Sequence, residues 1–222
     1  MEGTRQCPSN TVIFGYRVRP AALRTLDIHQ EVARLQQLST AGIAVPEVYV
    51  HTNDFFIMQA CGLSLNDLLK QQAEVLSVEE KRKYLRAAVE ALIDLHQKKQ
   101  WHGGAQLRNV TWWKGVVYRI DFEENTGNAL PLSIAQAYDV MQCFLTLAPH
   151  LKDDRAYGHE LFALYLEHHH NPDIVTELRK TARALHRLTR LRRFLSQKTL
   201  QSSDVQATLF FYELLQQGLK TP

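Results

Sequence analysis

A chain of 222 residues, 45% hydrophobic and 22% charged, is long enough to bury a substantial core, and it contains no run of about 18 apolar residues that would cross a membrane. Its formal net charge of +3 is too small to imply a nucleic-acid partner, so nucleic acid is not expected and any anionic surface must be met by a local cluster of cations. The cysteines, Cys7, Cys61 and Cys143, have no paired spacing, and residues 1–8 have no charged start leading into an apolar stretch; both point to a cytoplasmic chain with ordinary thiols.

In chain order, residues 1–11 are polar and expected to be irregular, and Val12-Ile13-Phe14-Gly15-Tyr16-Arg17-Val18-Arg19 reads as one strand, stopped by Pro20. From about 26 to 40, Ile28, Val32, Leu35 and Leu38 recur at helical spacing, with Asp27 as N-cap, Glu31 in the second turn and Gly42 past the end. After Pro46, Val48-Tyr49-Val50 and Phe55-Phe56-Ile57-Met58 are two strands that should pair as a hairpin around Thr52-Asn53-Asp54. Ser64 can cap a helix carrying Leu65, Leu68 and Leu69, and Ser77 with Glu80 forms a capping box for a helix reaching about His96. Residues 134–147 form an apolar helix carrying one acid, Asp139, which needs hydrogen-bond donors if it is buried. Helices over 157–169, 174–195 and 204–218 follow, and the order as a whole is α+β with the strands segregated towards the N-terminus.

Residues 101–124 read as a site. His102 opens a loop, Asn109 closes it, a strand runs through Val116, Val117, Tyr118 and Ile120, and Asp121 stands at its far end. An Asn and an Asp brought together by such a hairpin are hard oxygen ligands of the kind that hold Mg²⁺ on a nucleotide's phosphates.

From about residue 12 to about residue 147, this order and its motifs resemble the protein-kinase-like fold. The similarity is to the compact branch containing lipopolysaccharide-core sugar kinases, aminoglycoside phosphotransferases and the small kinase of the KEOPS complex. Ala41-Gly42-Ile43-Ala44-Val45-Pro46 is similar to that branch's approach to strand four, and Ile57-Met58-Gln59-Ala60-Cys61-Gly62-Leu63-Ser64-Leu65 to its hinge. His102-Gly103-Gly104 followed by Asn109 resembles the catalytic loop, Ile120-Asp121-Phe122-Glu123 the metal-binding strand end, and Asp139 the aspartate that braces the loop from below. The resemblance implies a reduced β-rich N-terminal lobe over 1–60, a helical C-terminal lobe over 61–222, and ATP with Mg²⁺ as cofactors. Asn109 and Asp121 would hold the metal, with Glu123 extending the set. Met58 would lie by the nucleotide, Arg17 or Arg19 would stand in for the usual lysine, paired with Glu31 or with phosphate, and His102 would orient the loop.

The departures are as specific as the matches. Gly104 stands where the hydroxyl-orienting Asp belongs, no Lys precedes the first helix, and Gly3 and Gly15 are too isolated to form a phosphate-covering loop. The first expectation is therefore a divergent ATP-dependent phosphotransferase, with a sugar or lipid-sugar hydroxyl as acceptor. The alternatives are a pseudokinase that binds nucleotide or acts as a scaffold, and a non-enzymatic binder of an anionic surface or RNA. The last rests on the amphipathic segment 174–195, whose Arg179, Lys180, Arg183, Arg187, Arg190 and Arg193 suit an anionic membrane surface and a peripheral location at its inner face.

Overall fold

The computed structural model describes residues 11–13, 16–18, 26–122, 124–190 and 196–220. The first element is a hairpin: β1 (Thr11–Ile13) pairs antiparallel with β2 (Tyr16–Val18), Ile13 opposite Tyr16. The single strand expected over 12–19 is thus two. Its composition is right for a strand, but Gly15, which offers a sheet no side chain to pack, falls between the two pairing segments.

Helix α1 (Ile28–Thr40) starts where the cap chemistry places it, with Asp27 accepting from the Gln30 amide at 2.8 Å and Gln30 Oε1 accepting from the Asp27 amide at 3.1 Å. Because Asp27 is the cap, Glu31 lies in the first turn rather than the second. Val32, Leu35 and Leu38 bury one stripe of the helix. Strands β3 (Val48–His51) and β4 (Phe56–Met58) form the expected antiparallel hairpin, with a bulge between Val48 and Val50.

The crossing segment contributes a strand that sequence did not reveal. Leu63 and Ser64 (β5) pair with Trp112 and Thr111 of β6 (Val110–Trp113), which in turn pairs with β7 (Val116–Arg119). The turn between β6 and β7 is Lys114-Gly115, both with positive φ (49° and 85°), the two-residue geometry whose twist suits a hairpin. Ser64 ends β5 and caps α2 (Leu65–Gln71) by accepting from the Asp67 amide at 3.1 Å. Ser77 and Glu80 form their box at the start of α3 (Val78–Gln97).

Short α4 (Thr126–Ala129) leads into α5 (Leu132–Leu147), followed by α6 (Arg155–His168), α7 (Pro172–Thr189), α8 (Gln197–Leu200) and α9 (Ser203–Gly218). Helix α5 packs against α3, α7 and α9, and α6 against α3 and α9. Phe144, Phe162, Tyr165 and Phe211 fill that junction completely, each such ring contributing roughly 2–3 kcal/mol through burial. The helix expected over 174–195 is seen from Pro172 to Thr189; Arg193 and Leu195 lie outside the described residues. Its buried face is Ile174, Leu178 and Ala182, while Arg179, Arg183, Arg187 and Arg190 are exposed. Among the described residues no helix is long and apolar enough to cross a membrane.

Candidate functional site

Helix α3 delivers the chain to residues 101–105, all buried, and Asp139, fully buried midway along α5, meets them from below. Its carboxylate accepts from the His102 amide at 2.7 Å and the Gly103 amide at 2.8 Å, and faces His96 Nε2 at 3.3 Å. Two consecutive backbone donors can converge on one carboxylate because the chain curls through Gly103 at φ 91°. A Cβ there would also lie 2.8 Å from Thr126 Oγ1 and 2.9 Å from both the carbonyl oxygen and Cβ of Glu124. Gly103 is required twice over, by torsion and by space. With its Nε2 proton towards Asp139, His96 accepts from the Tyr165 hydroxyl at Nδ1, 2.7 Å away. Sequence flagged Asp139 as an acid in need of donors, and these are its donors.

The His102 ring is fully buried and stacks on Phe122, centroids 4.3 Å apart at 23°. Its Nδ1 accepts from the Gly104 amide at 3.2 Å, which puts the proton on Nε2, an atom with no hydrogen-bond partner among the described residues. Burial, and after it the positive charge of Arg119, push the imidazole down to about 3, so the ring is neutral at physiological pH.

Arg34, which the sequence reading passed over, ties α1 to this loop. Its guanidinium donates to the Trp101 carbonyl at 2.7 Å and to Gln37 and Gln100 side chains at 2.9 Å each, and lies 4.4 Å over the Trp101 ring. Burial lowers its pKa to about 10, opposed by the negative charge of Asp139. The available signal was an arginine directly beside Leu35 in the apolar stripe of α1, a position that buries a long side chain. Arg119 is a second buried cation in this region, donating to the Ala88 carbonyl at 3.4 Å, with its pKa lowered by burial and raised by Cys143 and Asp139.

At the other end of the loop, a 3₁₀ turn (Leu107–Asn109) leads into β6. Asn109 donates from Nδ2 to the Gly104 carbonyl at 2.9 Å, and its own carbonyl accepts from the Ile120 amide at 3.0 Å. That backbone bond extends the β6–β7 ladder by one step and brings Asn109 alongside the Ile120-Asp121 peptide. Asp121 is half-buried in a left-handed conformation, φ 66°, which Asp tolerates better than most residues but still at a cost of roughly 1 kcal/mol. Gly104 itself has no unusual torsion, and a Cβ on it would lie 3.1 Å from Asn109 Nδ2 and 3.5 Å from Glu124 Oε1.

The remaining sequence candidates lie on other elements or outside the described residues. Met58 is exposed at the end of β4, and Glu31 is half-buried in the first turn of α1. The Arg17 backbone lies in β2, whereas its side chain, and all of Glu123, fall outside the described residues. No group of three or more His, Cys, Asp or Glu among the described residues converges as a metal cluster. That donor set still fits Mg²⁺, which is held by one or two protein oxygens together with substrate phosphates and water. The Asn109 amide is turned so that Nδ2 is engaged, while Oδ1 accepts no hydrogen bond from a described residue.

A sequence profile of the RIO domain matches residues 15–135, more than half of the chain. The chain is also 33% identical over 100 residues to an uncharacterized protein of Haemophilus influenzae. The matched stretch covers 44% of this chain and 40% of that relative's length.

Proposed function

The chain belongs to the family defined by the RIO domain, a member of the protein-kinase-like superfamily, and on that premise we propose that residues 102–124 bind magnesium–ATP and transfer its γ-phosphoryl group to a hydroxyl. The observation that carries this reading is the double clamp on the loop. Asp139 holds the His102 and Gly103 amides, Asn109 Nδ2 holds the Gly104 carbonyl, and no described residue donates to the side-chain oxygens of Asn109 and Asp121. Those two oxygens would hold Mg²⁺, which when bound supplies charge neutralisation on the phosphates. His102, buried and neutral, positions the loop and takes no part in proton transfer. Preorganised positioning of this kind is the main contribution a protein makes to phosphoryl transfer.

For the acceptor we propose a sugar or lipid-linked sugar hydroxyl, supported by the exposed arginines of α7, which suit an anionic membrane surface where such a group is presented. A second reading, a nucleotide-binding pseudokinase, is favoured by Gly104, which carries no carboxylate for the attacking hydroxyl. Melting with and without ATP and Mg²⁺ tests both. The nucleotide should raise Tm in the wild type and not in Asp121→Ala; an unchanged wild-type Tm would remove both readings. Release of the γ-phosphate then separates them, since a stabilised but inert protein is the pseudokinase.

A further inference from the structure

Gly104 removes one carboxylate from the loop, and a different one occupies the same neighbourhood. Glu124 Oε1 sits 3.5 Å from the point where any side chain at 104 would begin. It can come so close because the two glycines leave room: the Glu124 carbonyl and Cβ lie 2.9 Å from the corresponding point on Gly103. Residue 124 is folded over the Gly103-Gly104 pair, and it follows Asp121 by three residues. Tyr138, whose hydroxyl is raised by burial first and by the Glu124 charge second, borders the carboxylate from α5.

We propose that Glu124 supplies the hydroxyl-orienting carboxylate that Gly104 lacks, an inference that rests on the phosphotransferase reading above. In the step this serves, the acceptor hydroxyl oxygen bonds to the γ-phosphorus and the bond to the β,γ-bridging oxygen breaks, its electron pair leaving on ADP. The hydroxyl proton passes to the Glu124 carboxylate and from there to solvent. A glutamate is one methylene longer than an aspartate, so a carboxylate can be delivered from residue 124 to a place an aspartate would reach from residue 104. At 3.5 Å, Oε1 is in ordinary contact with the point where a Cβ at 104 would stand, so a carboxylate at 104 would lie beside that of Glu124 and the two like charges would oppose each other; this chain carries only the one from 124.

The test uses the full chain with ATP, Mg²⁺ and water as acceptor, following γ-phosphate release, and the melting shift produced by Mg·ATP as a second readout. Glu124→Gln, nearly isosteric, should lower release by about 100-fold or more while keeping the wild-type melting shift. The double variant Gly104→Asp with Glu124→Ala should recover release at least tenfold over Glu124→Ala alone. Glu124→Gln with wild-type release overturns the assignment and leaves the phosphotransferase reading standing. Loss of the melting shift in Glu124→Gln also overturns it, by making Glu124 a binding group. A double variant that melts like the wild type yet stays inactive overturns the shared place of the two carboxylates. A wild type that releases no phosphate overturns this inference and the phosphotransferase reading together.

Discussion

The two ends of the loop between residues 101 and 124 are built differently. At the anchored end, Asp139, His96, His102, Arg34 and Gly103 are buried and tied by short hydrogen bonds to α1, α3, α5 and α6. At the open end, Asp121 and Glu124 are half-buried, and the oxygen of the Asn109 amide accepts nothing from the described residues. The adjacent glycines divide along the same line. Gly103 is dictated by its positive φ and by contacts shorter than 3 Å, whereas Gly104 has an ordinary torsion and its nearest neighbour is the end of a side chain. The backbone therefore explains one glycine and not the other. The loop's backbone is thus fixed at its anchored end, and the two ends differ in how far their side chains are held by the described residues.

Removing the anchor should have the largest effect. Asp139→Ala leaves the His102 and Gly103 amides buried without acceptors, and Arg34 and Arg119 without the nearby negative charge. A loss of about 3–5 kcal/mol is expected, a fall of about 6–20 °C in Tm for a chain of this size. Urea denaturation reads the same quantity, and a loss below about 1 kcal/mol would show that the carboxylate is not the loop's anchor.

The glycine pair sharpens the contrast at single-residue scale. Gly103→Ala must adopt a left-handed torsion and push aside Thr126 Oγ1 and the Glu124 backbone, at about 2–3 kcal/mol. Gly104→Ala is tight only against Asn109 Nδ2 at 3.1 Å and should cost about 1 kcal/mol or less. Equal costs in paired melting experiments would mean that the two ends of the loop do not differ as described.

What sequence made legible was what neighbouring residues decide among themselves. The Asp27 and Ser77 caps, the β3–β4 hairpin and the start of α2 follow from side chains three or four positions from the groups they satisfy. Asp139 was visible for a related reason, since one acid on so apolar a helix has to find donors. The pairing of Leu63 with Trp112 and Ser64 with Thr111 joins residues nearly fifty positions apart, and Arg34 reaches across 67 positions to the Trp101 carbonyl; neither leaves a periodic trace. Glu124 was equally hidden in its effect, because an acid after a strand is ordinarily solvated, and only the folded loop shows that two glycines open a place for it. The comparison with known families supplied the superfamily, which the ordered motifs had pointed to.

Mild acid should act on the anchored end, with the smallest effect. In the folded chain the His102 imidazole is held down to about 3 by burial and by Arg119, while in the unfolded chain it titrates near the ordinary value of about 6.5. Between those values the unfolded state binds a proton that the folded state refuses. Stability is therefore intact above pH ~6.5 and is lost as pH falls, at roughly 1.4 kcal/mol per unit. His96, lowered chiefly by burial, adds to the loss in the same direction. Denaturation between pH 7 and pH 5.5 should show a decline of about 1–2 kcal/mol, and His102→Phe, which keeps a ring to stack on Phe122 but cannot titrate, should make it shallower and leave the part that His96 contributes. An acid slope equal in the wild type and His102→Phe would show that the ring accepts its proton as readily folded as unfolded, and would remove burial as the reason it stays neutral.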